Sequence, residues 1–196
     1  MVMNITNCKE ELIKVTTALI REKYGEVDKV TIRDISSRSG VSVGLINYHF
    51  GNKDNLITEC VQRIITKVVT SFKPNMEVGK GLEPFAAGKT RLTKAAQEVF
   101  DFFFLHPSIT RVSILGDYQN YSNKCNSYVS LSGFSAIIGN AIEDKAEKER
   151  ISFTLTSAMQ VAFLRSFSDP HFMGYDLSSQ EGRNTYIKDT VDILMR

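Results

Sequence analysis

The chain has 196 residues and a mass of 22.0 kDa, with 42% hydrophobic residues, 23% charged residues and a formal net charge of +2. That length suits one large domain or two small ones, and the composition is that of a globular chain, which excludes wholesale disorder. The longest apolar stretch, around Phe102–Leu105, falls far short of the roughly 18–20 residues a membrane span requires. The first residues also lack the basic-then-apolar order of a secretory signal, so no membrane partner and a cytoplasmic location are expected. Cys8, Cys60 and Cys125 are too few and too scattered for a disulfide framework or a metal site and read as free thiols.

In chain order nearly every segment reads as helix, because apolar residues recur at spacings of three and four and strict alternation is scarce. A first helix covers about Lys9–Tyr24, with Leu12, Val15 and Leu19 on one face, and ends at Gly25. Thr31 is a candidate N-cap with Asp34 three residues on, opening a short helix Ile32–Ser39 that Gly40 stops. Ser42 caps a third helix, Val43–His49, and Asn52 caps a fourth from Lys53 to about Phe72. Lys73–Gly88, with Pro74, Gly79, Gly81 and Pro84, is the candidate boundary. Beyond it, helices are expected over Lys89–Leu105, Ser108–Gln119, Ser122–Asp144 and Glu147–Phe167. A capping box at Ser178–Glu181 opens a last helix reaching about Met195. The organisation expected is residues 1–52 as one domain, 53–72 as a connecting helix and 73–196 as a second helical domain.

The charge gives only a weak hint of a partner: residues 1–72 hold ten basic and eight acidic side chains, and the remainder is balanced. The informative stretch is Thr31–Leu56. Two short helices meet at Gly40-Val41 in a turn of the length a helix-turn-helix needs. Ile35, Val41, Ile46 and Phe50 are spaced to face inward, which leaves Val43, Gly44, Asn47 and Tyr48 outward with no acid among them. Such a face can approach a DNA groove and donate to phosphates or base edges. Lys53 opposes the dipole at the start of its own helix, which makes sense if it meets an outside anion such as a phosphate.

Residues 9–56 resemble the N-terminal DNA-binding domain of the TetR family of bacterial transcriptional regulators. The resemblance is carried by Tyr24-Gly25, by Thr31-Ile32-Arg33-Asp34-Ile35, and by Ser39-Gly40-Val41-Ser42 through Asn47-Tyr48-His49-Phe50-Gly51-Asn52-Lys53. It implies an all-α chain, with an N-terminal three-helix helix-turn-helix domain followed by a helical ligand-binding and dimerisation domain. It also implies a repressor that binds a palindromic double-stranded DNA operator as a homodimer, paired through the last two long helices and released by a small molecule. Carried over by position, Ser42–His49 is the recognition helix. Thr31, Asn47, Tyr48, His49 and Lys53 are the phosphate contacts, with Arg33 and Ser42 beside them, and Val43, Gly44 and Leu45 lie nearest the bases. The commonest family pattern has an aromatic residue where this chain has Asn47, so Asn47 is open to either a phosphate or a base.

Other chemistry is poorly represented. Gly88-Lys89-Thr90 looks like the end of a phosphate-binding loop, but Glu83 stands where the first Gly is needed. No metal-binding helix motif, paired Cys-x-x-Cys or nucleophile elbow occurs, so neither an enzyme nor a cofactor is expected. Residues 73–196 hold ten of the twelve Phe and five of the seven Tyr. Phe100, Phe103, Phe104, Tyr118, Tyr121, Cys125, Tyr128, Phe134, Phe163 and Arg165 form the pool from which a pocket for a small apolar or aromatic effector would be lined. Two other classes stay open at this point: a helical small-molecule enzyme, or a protein-interaction module, with a helix-turn-helix that is only structural.

Overall fold

The computed structural model describes residues 5–71, 77–119, 121–123 and 125–196. The fold is all-α: α1 (Ile5–Glu22), α2 (Ile32–Ser39), α3 (Val43–Phe50), α4 (Lys53–Ser71), α5 (Pro84–Leu105), α6 (Pro107–Gln119), α7 (Asn126–Ile138), α8 (Lys145–Ser166) and α9 (Gln180–Leu194). A two-stranded antiparallel hairpin, β1 (His171–Phe172) and β2 (Tyr175–Asp176), stands between α8 and α9. The expected end of the fourth helix at Phe72, and Pro74 of the expected boundary, lie outside the described residues.

The helices pack as two compact units, Met1–Val68 with His106–Tyr121, and Val69–Leu105 with Ser122–Arg196. The first unit is built on apolar residues at helical spacing. Leu12 and Ile20 of α1, Ile35 of α2, Ile46 of α3 and Leu56 of α4 are all fully buried. Each such side chain contributes about 1.5–3 kcal/mol on leaving water. α6 belongs to this unit although it is remote in sequence. Ile109 of α6 comes against Gly25 at the end of α1, and Gly116 of α6 leaves room for Thr58 of α4. Cys60 is wholly buried, and burial pushes its thiol up to about 11.

In the second unit α5 packs against α7, α8 and α9. Arg183 of α9 joins them: its Nε donates to Asp101 Oδ1 of α5 at 2.8 Å, and its Nη1 donates to the carbonyls of Leu177 and Ser178. Its guanidinium also lies 4.8 Å from the centre of the Phe104 ring. Gly88 has a packing role. A Cβ there would collide with Ala141 and lie 3.1 Å from the carbonyl oxygen of Ile138, so the glycine lets the 3-10 turn Gly139–Ala141 rest on α5.

Several boundaries differ from the sequence expectation, each for a local reason. α5 and α6 open on Pro84 and Pro107, which fit a first helical position because the missing N–H would be unpaired there. α7 stops at Ile138 rather than running to Asp144, because Gly139 turns to φ +56. Asp144 instead caps α8, accepting from the Ala146 N–H at 2.8 Å. The cap of α9 is Ser179, whose Oγ accepts from the Gly182 N–H, while Ser178 bonds to Asp176. The hairpin was not expected. Its turn residues Met173 and Gly174 both have positive φ, the geometry that suits a two-residue hairpin loop.

Two measurements check this packing. Gly88→Ala places a methyl where Ala141 already sits and loses about 1–3 kcal/mol in a urea melt, although Ala favours helix over Gly. The three thiols are free and buried. Native protein at pH 7.5 therefore reacts slowly with a thiol reagent, and denaturant releases all three at once.

Candidate nucleic-acid interface

The start of α2 is fixed by a reciprocal cap. Thr31 Oγ1 accepts from the Asp34 N–H at 3.1 Å, and Asp34 Oδ2 accepts from the Thr31 N–H at 3.2 Å. The backbone bond from Thr31 is the largest cause holding the Asp34 carboxyl below its usual range, with Lys23 adding a 3.4 Å ion pair. This acid is therefore occupied within the fold.

The turn to α3 is closed by side chains as well as by backbone. Gly40 takes the left-handed conformation, φ +67, that a side chain would strain. Ser36 Oγ donates to the Val41 carbonyl at 2.7 Å, and Ser39 Oγ accepts from the Val41 N–H at 3.2 Å. Ser42 then caps α3, accepting from the Leu45 N–H. Ile46 and Phe50 are buried behind α3. The opposite face is open: Val43 is 38% exposed, Leu45 47% and Tyr48 75%, with Asn47 and Gly44 also exposed. His49 is half-buried, and its ring meets Tyr48 edge-on at 5.3 Å. Asn52 caps α4, so the two short helices and the start of the next each begin at a satisfied cap.

The basic residues around this face divide into tied and free. Arg33 is exposed and makes no hydrogen bond or ion pair among the described residues. Arg38 is clamped on Glu22 of α1 by two bonds, one of 2.7 Å, and it holds that carboxyl below its usual range. Lys53 does not stand free: its Nζ donates to the Val30 carbonyl at 3.4 Å and lies 3.6 Å from Asp54. That places Lys53 beside the residue preceding Thr31, so the two expected phosphate contacts share one corner of the domain. Lys9 was not anticipated here. Its Nζ lies 5.3 Å from the centre of the Phe50 ring and pairs with Glu59, contacts between segments far apart in the chain that no local pattern signals.

The expected effector residues are distributed over both units. Phe100, Phe103, Phe104 and Phe163 meet edge-on at 5.2–6.1 Å between ring centres, and Phe100 and Phe163 are fully buried. Phe134 and Cys125 are also buried, with Cys125 standing just before α7. Tyr128 is exposed, and Arg165 lies over the Phe172 ring at 5.4 Å. Tyr118 and Tyr121 belong to the first unit rather than the second. No group of three or more His, Cys, Asp or Glu that could hold a metal ion occurs among the described residues.

Residues 12–60 match the family described as "Bacterial regulatory proteins, tetR family". Two curated relatives are named as HTH-type transcriptional regulators. The HTH-type transcriptional regulator BetI 2 of Chromohalobacter salexigens is 26% identical over 134 residues, which is 61% of this chain and 63% of that protein. The HTH-type transcriptional regulator BetI of Vibrio campbellii is 34% identical over 68 residues, 35% of this chain and 33% of that one. The chain thus matches less than two thirds of the length of either relative. A TetR transcriptional regulator from Rhodococcus sp. RHA1 superposes over 98% of both chains with a TM-score of 0.56 at 16% identity, which shows a shared fold. The helix-turn-helix and the all-α fold agree with these matches: over residues 12–60 the chain matches the TetR family of bacterial regulatory proteins, and its whole length shares the fold of a TetR regulator.

Proposed function

We propose that this regulator is a repressor that binds a palindromic operator in double-stranded DNA as a homodimer and is released by a small-molecule ligand. The observation that carries the DNA reading is the open face of α3. Its apolar residues Ile46 and Phe50 are buried behind it, while Val43, Gly44, Leu45, Asn47 and Tyr48 face outward with no acid among them. A recognition helix enters the major groove in this way. Thr31 and Lys53 at the corner, with Tyr48, His49 and Ser42, would meet phosphates, and the free guanidinium of Arg33 would reach the same strand or a base edge beside it.

The dimer reading rests on the last two long helices. Phe153 and Val161 of α8 and Ile193 of α9 are 57%, 51% and 60% exposed, and apolar groups at such positions are covered when a second copy packs on them. A twofold pair places two α3 helices on half-sites about 10 bp apart or a multiple of it. The cluster of Phe rings in the second unit favours an effector that is small and apolar or aromatic. Taking the protein from 1:99 to 99:1 released requires that effector to bind the released form better by about 5.5 kcal/mol. This activity is regulatory rather than catalytic, and we place the protein in the cytoplasm.

Two experiments test the reading. Anisotropy titration of the full-length protein with DNA from beside its own gene gives an affinity that falls as salt rises, and Lys53→Gln reduces the slope by about one ion. Salt-insensitive binding, or an unchanged slope, contradicts the assignment. Gly44→Ala separates stability from binding. The new methyl meets only Ser42 Oγ, at 3.9 Å, so the variant gains about 0.5–1 kcal/mol in a melt from better helix propensity. It nevertheless loses about tenfold in DNA affinity because the helix can no longer sit as deep in the groove, a loss of ~1.4 kcal/mol.

A further inference from the structure

We infer that α3 selects A·T-rich half-sites, with the Asn47 amide reading an adenine and the exposed side chains of Val43 and Leu45 resting on thymine methyl groups. The inference rests on α3 being the helix that enters the groove, and it adds what that helix reads there.

The argument is one of chemical inventory. In the major groove guanine offers two acceptors, and the side chains that match them bidentately are Arg and Lys. Between Ser42 and Phe50 there is neither. The nearby cations are held elsewhere: Arg38 is clamped on Glu22, and Lys53 donates to the Val30 carbonyl. Arg33 is free but stands at the start of α2, so a guanine contact made by it falls outside the pairs that face α3. Cytosine presents a donor, which Asp or Glu would accept, and α3 carries no acid.

What α3 does present fits the other base pair. Asn47 is exposed and its side chain makes no hydrogen bond among the described residues, so both its amide donor and its acceptor are available. One donor and one acceptor on a planar amide match adenine N7 and N6. Val43 and Leu45 leave aliphatic surface in water that the thymine methyl, the one apolar group in the major groove, would cover. Gly44 stands between them with no side chain, which allows the backbone and both neighbours to come close to the base edges.

The test is selection of binding sites from a random duplex library by the full-length protein, run in parallel with Asn47→Ala and Leu45→Ala. The wild type enriches an inverted repeat whose half-sites hold A·T pairs at the positions where Asn47→Ala relaxes the preference, with about a 5- to 150-fold loss on the preferred site. Replacing the thymines of those pairs by deoxyuridine, which removes only the methyl, weakens wild-type binding about fourfold per contacted base and leaves Leu45→Ala less affected. G·C at the positions that Asn47→Ala relaxes, or deoxyuridine sites bound as tightly as thymine sites, overturns the inference while the DNA-binding reading stands. A wild-type selection that enriches no sequence, together with no salt-sensitive binding, overturns that reading and this inference with it.

Discussion

Burial of Ile46 and Phe50 behind α3 is the constraint on which the rest depends. A helix of eight residues has little stability of its own, so its position is set by what it packs against. Ile46 is fully buried and Phe50 nearly so, against a core that includes Ile35 and Val41. Gly40 and the hydroxyls of Ser36 and Ser39 fix the turn that brings α2 and α3 together. Once these groups are in place, the orientation of the opposite face follows: Asn47 and Tyr48, between the buried pair, point outward. Function in this domain is a by-product of packing on the other side of the same helix.

Electrostatics refine that face rather than create it. The net charge is small, and a large basic footprint is absent. The acids near the helix-turn-helix are mostly engaged within the fold. Asp34 closes the cap of α2, Glu22 holds Arg38, and Glu59 is shared by Lys9 and Arg63. Such exposed pairs add little to stability. They do occupy acids around α3, which carries no carboxylate of its own, so an approaching polyanion meets little repulsion there. Under the proposed function, affinity comes from shape, close approach and the pairing of two half-sites more than from a long-range field.

How far the sequence could be read depended on how local the determinant was. The caps at Thr31, Ser42 and Asn52, the turn at Gly40 and the inward set of the helix-turn-helix are all specified within a few residues, and they stand where their spacing puts them. The end of α7 at Gly139 and the use of Asp144 as a cap for α8 turned on which of two local signals prevailed. The hairpin at His171–Asp176 has strands of two residues, too short for any alternation to register. The membership of α6 in the first unit, the Lys9–Phe50 contact and the place of Gly88 against Ala141 are pairings across long stretches of chain, and no periodicity reports them. The aromatic residues were legible as a class but not as an arrangement. Four Phe rings pack on one another, while Arg165 lies over the Phe172 ring.

Chemical-shift mapping of the full-length protein tests the central claim most directly. With 15N-labelled chain titrated against duplex DNA from beside its own gene, the account predicts that the amides of Thr31, Arg33 and Val43–His49 shift together and saturate, while those of α8 and α9 move little. Saturating shifts confined to other helices, with α3 unmoved, would contradict it.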